Sequence, residues 1–192
     1  MCSIEEIHDA VDACKRQGND QIILLKCCSE YPAVYSHMNL ATITDMQERF
    51  KVPIGLSDHS MGSAAAVVAV SMGACVIEKH FCLSRKIKNP DSEFSMEPDE
   101  FRRMVKDCNS VAEIRGRVSY DLTDKEKASK VFRRSLFAVE NIKAGDKFTI
   151  DNVRCIRPAD GISPKYYDGM MGKESKLDYS TGQPISEKDK PF

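Results

Sequence analysis

The chain has 192 residues, enough for one large domain or two small ones. Charged residues make up 30%, hydrophobic residues 42%, and the formal net charge is −1. That balance lacks the basic excess of a nucleic-acid surface. The longest run of small apolar residues, Ala64–Val70, is too short to cross a bilayer. Nucleic acid and membrane are therefore not expected as partners.

The segment Met1-Cys2-Ser3-Ile4-Glu5-Glu6 has no cationic stretch followed by an apolar one. It reads as no signal peptide, which makes a cytoplasmic location the default expectation. The eight cysteines, Cys2, Cys14, Cys27, Cys28, Cys75, Cys82, Cys108 and Cys155, form no C-x-x-C pair. A zinc ribbon or thioredoxin-type site is not expected. Most read as small buried apolar residues in a reducing compartment, with a reactive thiol at Cys27 or Cys28 as the alternative.

Ser3-Ile4-Glu5-Glu6 is a capping box. Ile4, Ile7, Val11 and Cys14 follow at helical spacing, and Gly18 ends the helix. Gln21 to Cys27 is an unbroken apolar run of the kind found in strands buried on both faces. A loop with Tyr31-Pro32 leads to a helix over about 40–50, with Leu40, Ile43, Met46 and Phe50 on one face. A strand at 52–56, a small-residue helix at 62–72 and a strand at 74–77 complete the series. Pro98 then opens a long helix striped by Phe101, Met104, Val105, Cys108 and Val111.

The predicted order is three βα units preceded by a helix with no strand of its own. Three parallel strands leave open edges and do not close a barrel. The pattern reads as the last part of a (β/α)8 barrel, with an open three-layer α/β sheet as the alternative. Residues 119–131 are charged and read as a linker, in which Thr123-Asp124-Lys125-Glu126 is a second capping box. From Phe132 onward short strands at 135–139 and 153–156 alternate with turns, ending in a Pro/Gly loop at 157–164. Residues 132–192 therefore read as a small β-rich module.

His59 and His80 stand 21 positions apart, and each closes a predicted strand. Neighbouring parallel strands lie about 4.8 Å apart, so both imidazoles are expected at the carboxyl-end rim, where parallel α/β folds build active sites. Together they are candidate ligands for one divalent metal. Asp58 reads either as a carboxylate orienting His59 or as a loop cap. One of Glu78 and Lys79 should face the barrel interior.

Four strings occur in order: Leu25-Lys26-Cys27-Cys28-Ser29-Glu30-Tyr31-Pro32, Gly55-Leu56-Ser57-Asp58-His59, Ile77-Glu78-Lys79-His80-Phe81 and Pro90-Asp91-Ser92-Glu93-Phe94-Ser95. On these the chain resembles the nonulosonic (sialic) acid synthases, and Lys26 and the 90–95 string most resemble their pseudaminic branch. Phe132-Arg133-Arg134-Ser135-Leu136 through Arg157-Pro158 resembles the family's carboxyl-terminal antifreeze-like (SAF) domain.

The resemblance implies a TIM barrel followed by the SAF domain, in a domain-swapped homodimer. It implies condensation of phosphoenolpyruvate with an open-chain 2,4-diacetamido-2,4,6-trideoxy hexose and water, giving a nonulosonic acid and phosphate. It also implies Mn²⁺ or Mg²⁺ on His59 and His80. Ser57 and Ser29 would contact phosphoenolpyruvate, although a loop-capping role for Ser57 stays open. Tyr31, Asp91 and Arg157 would hold the sugar. N-acetylneuraminate or legionaminate synthesis, an aldolase of the same barrel class, and a non-catalytic binding module are the competing readings.

Asn89 stands where relatives usually carry Gly, and Cys28 where they carry Thr. The lysines and catalytic acids of the family's earlier strands have no counterpart in these residues. The chain alone is therefore expected to have little synthase activity.

Overall fold

Helix α1, Ile4–Arg16, starts where its capping box places it: the Ser3 hydroxyl accepts from the Glu6 amide, and the Glu6 carboxylate accepts from the Ser3 amide. The computed structural model describes residues 1–191, and among them two compact units form, 1–118 and 119–191.

In the first unit, strands β1 (Leu24–Cys27), β2 (Ile54–Asp58) and β3 (Ile77–Lys79) form a parallel sheet in the order β1-β2-β3. Helices α2 (Tyr35–Met38) and α3 (Thr42–Phe50) follow β1, α4 (Ala64–Ser71) follows β2, and α5 (Pro98–Arg115) follows β3. This is the partial barrel expected from the sequence. The helix expected over 40–50 is shorter, because Asn39 adopts φ 45° and separates it from α2. The helix expected over 62–72 begins two residues later, because Gly62 takes φ 73° and turns the chain before it.

Strands β2 and β3 run two residues further toward the carboxyl end than their apolar runs. The ladder continues through Ser57 and Asp58, which pair with Glu78 and Lys79. Apolar continuity marks the buried part of a parallel strand and gives no sign of a polar rim, so these four residues carry no strand signal of that kind.

Alternation assigns the two faces. Leu24, Ile54, Leu56 and Ile77 pack against α3 and α4, where Ile43, Met46, Phe50, Ala65 and Ala69 are buried. The opposite face therefore carries Leu25 beside Gly55, and Cys27 beside Ser57 beside Glu78. A Cβ on Gly55 would lie 2.5 Å from Leu25 Cδ2 and 2.6 Å from the Val76 carbonyl oxygen. Glycine is what lets the three strands close up at that level.

In the second unit the segment read as a linker carries helix α6, Asp124–Ser129, capped reciprocally by Thr123 and Glu126. Strands β4 (Ser135–Ala138) and β5 (Val153–Ile156) pair antiparallel. Leu136, Ile142, Phe148, Val153, Ile162, Met170 and Ile185 make its core.

The end of this unit is tied by Tyr179, whose buried hydroxyl donates to Asp189 Oδ2 and accepts from the Ser186 amide at 3.0 Å. Burial, then the bond to Asp189, pushes the phenol from 10.0 up to about 12. Between those values the folded chain keeps a proton that the unfolded chain has lost, so stability falls as pH rises. The contribution is complete below pH 10 and gone above about 12. Unfolding midpoints measured across that window should fall in the unaltered chain and fall less in Tyr179→Phe. Equal slopes would show that another group governs the alkaline loss.

Candidate functional site

His59 directly follows β2 and His80 directly follows β3. Continuing the alternation Gly55, Ser57, His59 and Glu78, His80 puts both imidazoles on the barrel-interior face, one step above Ser57 and Glu78. Their ring centroids are 5.2 Å apart, and His59 is buried while His80 is half-buried.

The Nδ1 of His59 lies 3.0 Å from the Cys28 carbonyl oxygen. A carbonyl only accepts, so Nδ1 carries the proton and Nε2 presents a lone pair. His80 Nδ1 lies 3.7 Å from Asp91 Oδ2. The Asp91 loop is held from within: its amide donates to Asn89 Oδ1 and its carbonyl accepts from the Ser95 hydroxyl, at 3.0 and 2.7 Å. The Asn at position 89 thus supplies the contact that shapes this turn.

Tyr31 stacks on His59 with centroids 4.2 Å apart and lies 5.6 Å from Phe94, itself 5.0 Å from His80. Two aromatic rings therefore flank the imidazole pair. The Ser57 hydroxyl donates to Glu78 Oε1 at 2.6 Å, so it caps no loop. Ser29 is exposed just beyond β1, its Oγ 3.8 Å from Cys27 Sγ. Arg157 belongs to the second unit, exposed directly after β5 and before Pro158.

The structure thus gathers His59, His80, Tyr31 and Asp91, sets Ser57 one level below, and leaves Ser29 at the edge of β1. Glu78 and Phe94 join them and were not assigned as site residues from sequence. Stepping back two positions from His80 would have found Glu78. The Cys28 carbonyl has no side-chain signal at all.

Asp58 makes no hydrogen bond to the His59 ring. It faces the helix side of the sheet, where Oδ1 accepts from the amide and hydroxyl of Ser60 and Oδ2 from Lys79 Nζ. Its bonds to Ser60 are those of a loop cap, and Lys79 is buried behind the sheet while Glu78 faces the interior.

Among the described residues no group of three or more His, Cys, Asp or Glu side chains is arranged to hold a metal. The pair His59 and His80 nevertheless fits a divalent ion that keeps open positions. Both donors are imidazoles, they sit on adjacent strand ends, and His59 is fixed in the tautomer that leaves Nε2 free.

Residues 1–120 match the NeuB family model and residues 133–189 the SAF domain. The chain belongs to the NeuB family. It is 41% identical to pseudaminic acid synthase of Campylobacter jejuni strain 81-176, over 96% of this chain and 54% of that protein. It is 34% identical to N,N'-diacetyllegionaminic acid synthase of C. jejuni strain NCTC 11168, over 97% of this chain and 57% of that one. The crystal structure of spore coat polysaccharide biosynthesis protein SpsE from Bacillus subtilis superposes with a TM-score of 0.58 at 28% identity, over all of this chain and 59% of that one. The chain spans about half the length of the curated relatives it matches. No helix among the described residues is long and apolar enough to cross a membrane.

Proposed function

We propose that this NeuB-family chain forms the metal-holding part of a nonulosonic acid synthase of the pseudaminic type. The observation that carries the reading is the imidazole pair at consecutive strand ends, walled by Tyr31 and Phe94, in a chain most of which matches the family model. The pseudaminic branch is favoured over the legionaminic one by the higher identity, 41% against 34%.

In this reading His59 and His80 hold Mn²⁺ or Mg²⁺, which when bound supplies Lewis acidity toward a sugar aldehyde oxygen. Tyr31 offers an apolar face to the open-chain sugar, and the Asp91 carboxylate accepts from its hydroxyls. Ser57 and Ser29 donate hydroxyl hydrogen bonds to phosphoenolpyruvate, Ser57 by turning from Glu78. Arg157 reaches the site of a second copy in a domain-swapped homodimer, where its guanidinium pairs with oxygen acceptors on the sugar. The further cations that the resemblance implies for phosphate and carboxylate have no counterpart in these residues.

The test mixes this chain with the amino-terminal half of the C. jejuni pseudaminic acid synthase and follows phosphate release from phosphoenolpyruvate. Release is expected only with the amino sugar, Mn²⁺ and both halves present, and His59→Ala or His80→Ala in this chain should lower it at least 100-fold. Independently, Mn²⁺ binding to the chain, read from the electron spin resonance signal of the free ion, should be lost in either variant. Activity or Mn²⁺ binding indifferent to both substitutions rules out the ligand assignment.

A further inference from the structure

Directly before each histidine stands a charged residue that the reaction does not use. Asp58 precedes His59, Lys79 precedes His80, and both point to the helix side of the sheet. Their side chains are 0% and 1% exposed, and Lys79 Nζ lies 2.7 Å from Asp58 Oδ2. Lys79 Nζ also donates to the Ser60 carbonyl at 2.6 Å. Asp58 Oδ1 accepts from the Ser60 amide and hydroxyl, at 2.8 and 2.7 Å.

These contacts bracket His59 on both sides and join it to the residue before His80. The ladder between β2 and β3 ends at this same pair, Asp58 beside Lys79. Above it neither histidine has a ladder partner on the other strand, and His59 is tied instead toward the β1 side through the Ala33 amide and the Cys28 carbonyl. Packing alone rarely retains a buried ion pair, since apolar residues of the same volume are often as stable. What a charged, multiply hydrogen-bonded pair adds is a single defined geometry at the last point where the two strands touch.

We propose that Asp58 and Lys79 are positioning residues. Through the sheet, their pairing fixes the separation and orientation of His59 and His80 and thereby sets the affinity for a divalent ion. The proposal rests on the reading of His59 and His80 as metal ligands.

The test measures Mn²⁺ affinity of the 192-residue chain together with its unfolding midpoint. Asp58→Asn with Lys79→Met removes both charges, leaves no uncompensated ion and keeps an acceptor for Ser60. This double variant should fold, and should bind Mn²⁺ on the order of tenfold more weakly, as when groups supporting metal ligands are lost. Ile43→Val, a destabilising change in α3 behind the sheet, should leave Mn²⁺ affinity unchanged, which separates positioning from general loosening. Ser60→Ala deletes one hydroxyl of the cluster, and should weaken binding in the same direction by less, even if the double variant does not fold.

Affinity equal to that of the unaltered chain in Ser60→Ala and in the folded double variant overturns the proposal while the metal reading stands. A loss in Ile43→Val as large as in the double variant also overturns it. Binding that survives His59→Ala and His80→Ala, or is absent from the unaltered chain, removes the metal reading and this proposal with it.

Discussion

Lys79→Met alone is expected to lower the unfolding free energy by about 3–5 kcal/mol, the usual cost of removing one member of a buried ion pair. The lysine Nζ donates to two oxygens, Asp58 Oδ2 and the Ser60 carbonyl. Methionine fills much of the same volume but donates to neither. Asp58 is then left as an anion with no exposed surface, stabilised only by the two Ser60 bonds to its other oxygen. Folding of that species leaves a buried charge without its cation.

Adding Asp58→Asn to Lys79→Met removes the stranded charge, so the double variant should regain most of the loss. Denaturant unfolding of the two single variants and the double variant measures the coupling directly. Additive losses would show that the two side chains do not act as a pair, and would remove the physical basis for a clasp at the strand ends.

The division between legible and illegible features follows a physical line. Helix α1 was readable to the residue because its signal is local: Ser3 and Glu6 satisfy each other's backbone within one turn. The histidine pair was readable because strand alternation and a single βαβ crossover determine its geometry. The ends of β2 and β3 were not, since Ser57, Asp58, Glu78 and Lys79 are strand residues whose polarity serves the rim rather than the core. The same polarity hid the roles of Asp58 and Glu78. Which of two neighbouring charged residues faces inward depends on register between strands, and that register is a tertiary fact. The proton on His59 Nδ1 is decided by a backbone carbonyl, Cys28, and no side-chain pattern reports where a carbonyl points.

Gly161→Ala is expected to cost at or above the ~3 kcal/mol that marks the upper end of ordinary overpacking. A Cβ built there would stand 2.2 Å from the Leu136 carbonyl oxygen and 3.2 Å from the Ile185 amide nitrogen. Both are backbone atoms, so no rotamer change relieves the contact. They also bond to each other, Ile185 N donating to Leu136 O at 2.9 Å. The same three segments close a small ring, with Leu136 N donating to Ile162 O and Ile162 N to Ile185 O, each at 3.0 Å. Gly161 itself donates to Ser135 Oγ at 2.9 Å, and that hydroxyl donates to the Pro158 carbonyl.

An alanine therefore forces β4 away from the segments that complete its pairing, and exposes Leu136, Ile162 and Ile185, the centre of the second unit's core. Gly145→Ala provides the comparison. Nothing lies within 4 Å of its added carbon, and only its φ of 96° is unfavourable, at about 1–2 kcal/mol. Hydrogen exchange should show lost protection at the Leu136, Ile162 and Ile185 amides in Gly161→Ala and not in Gly145→Ala. Equal protection in the two variants would mean that the backbone approach at Gly161 does not govern the packing of this unit.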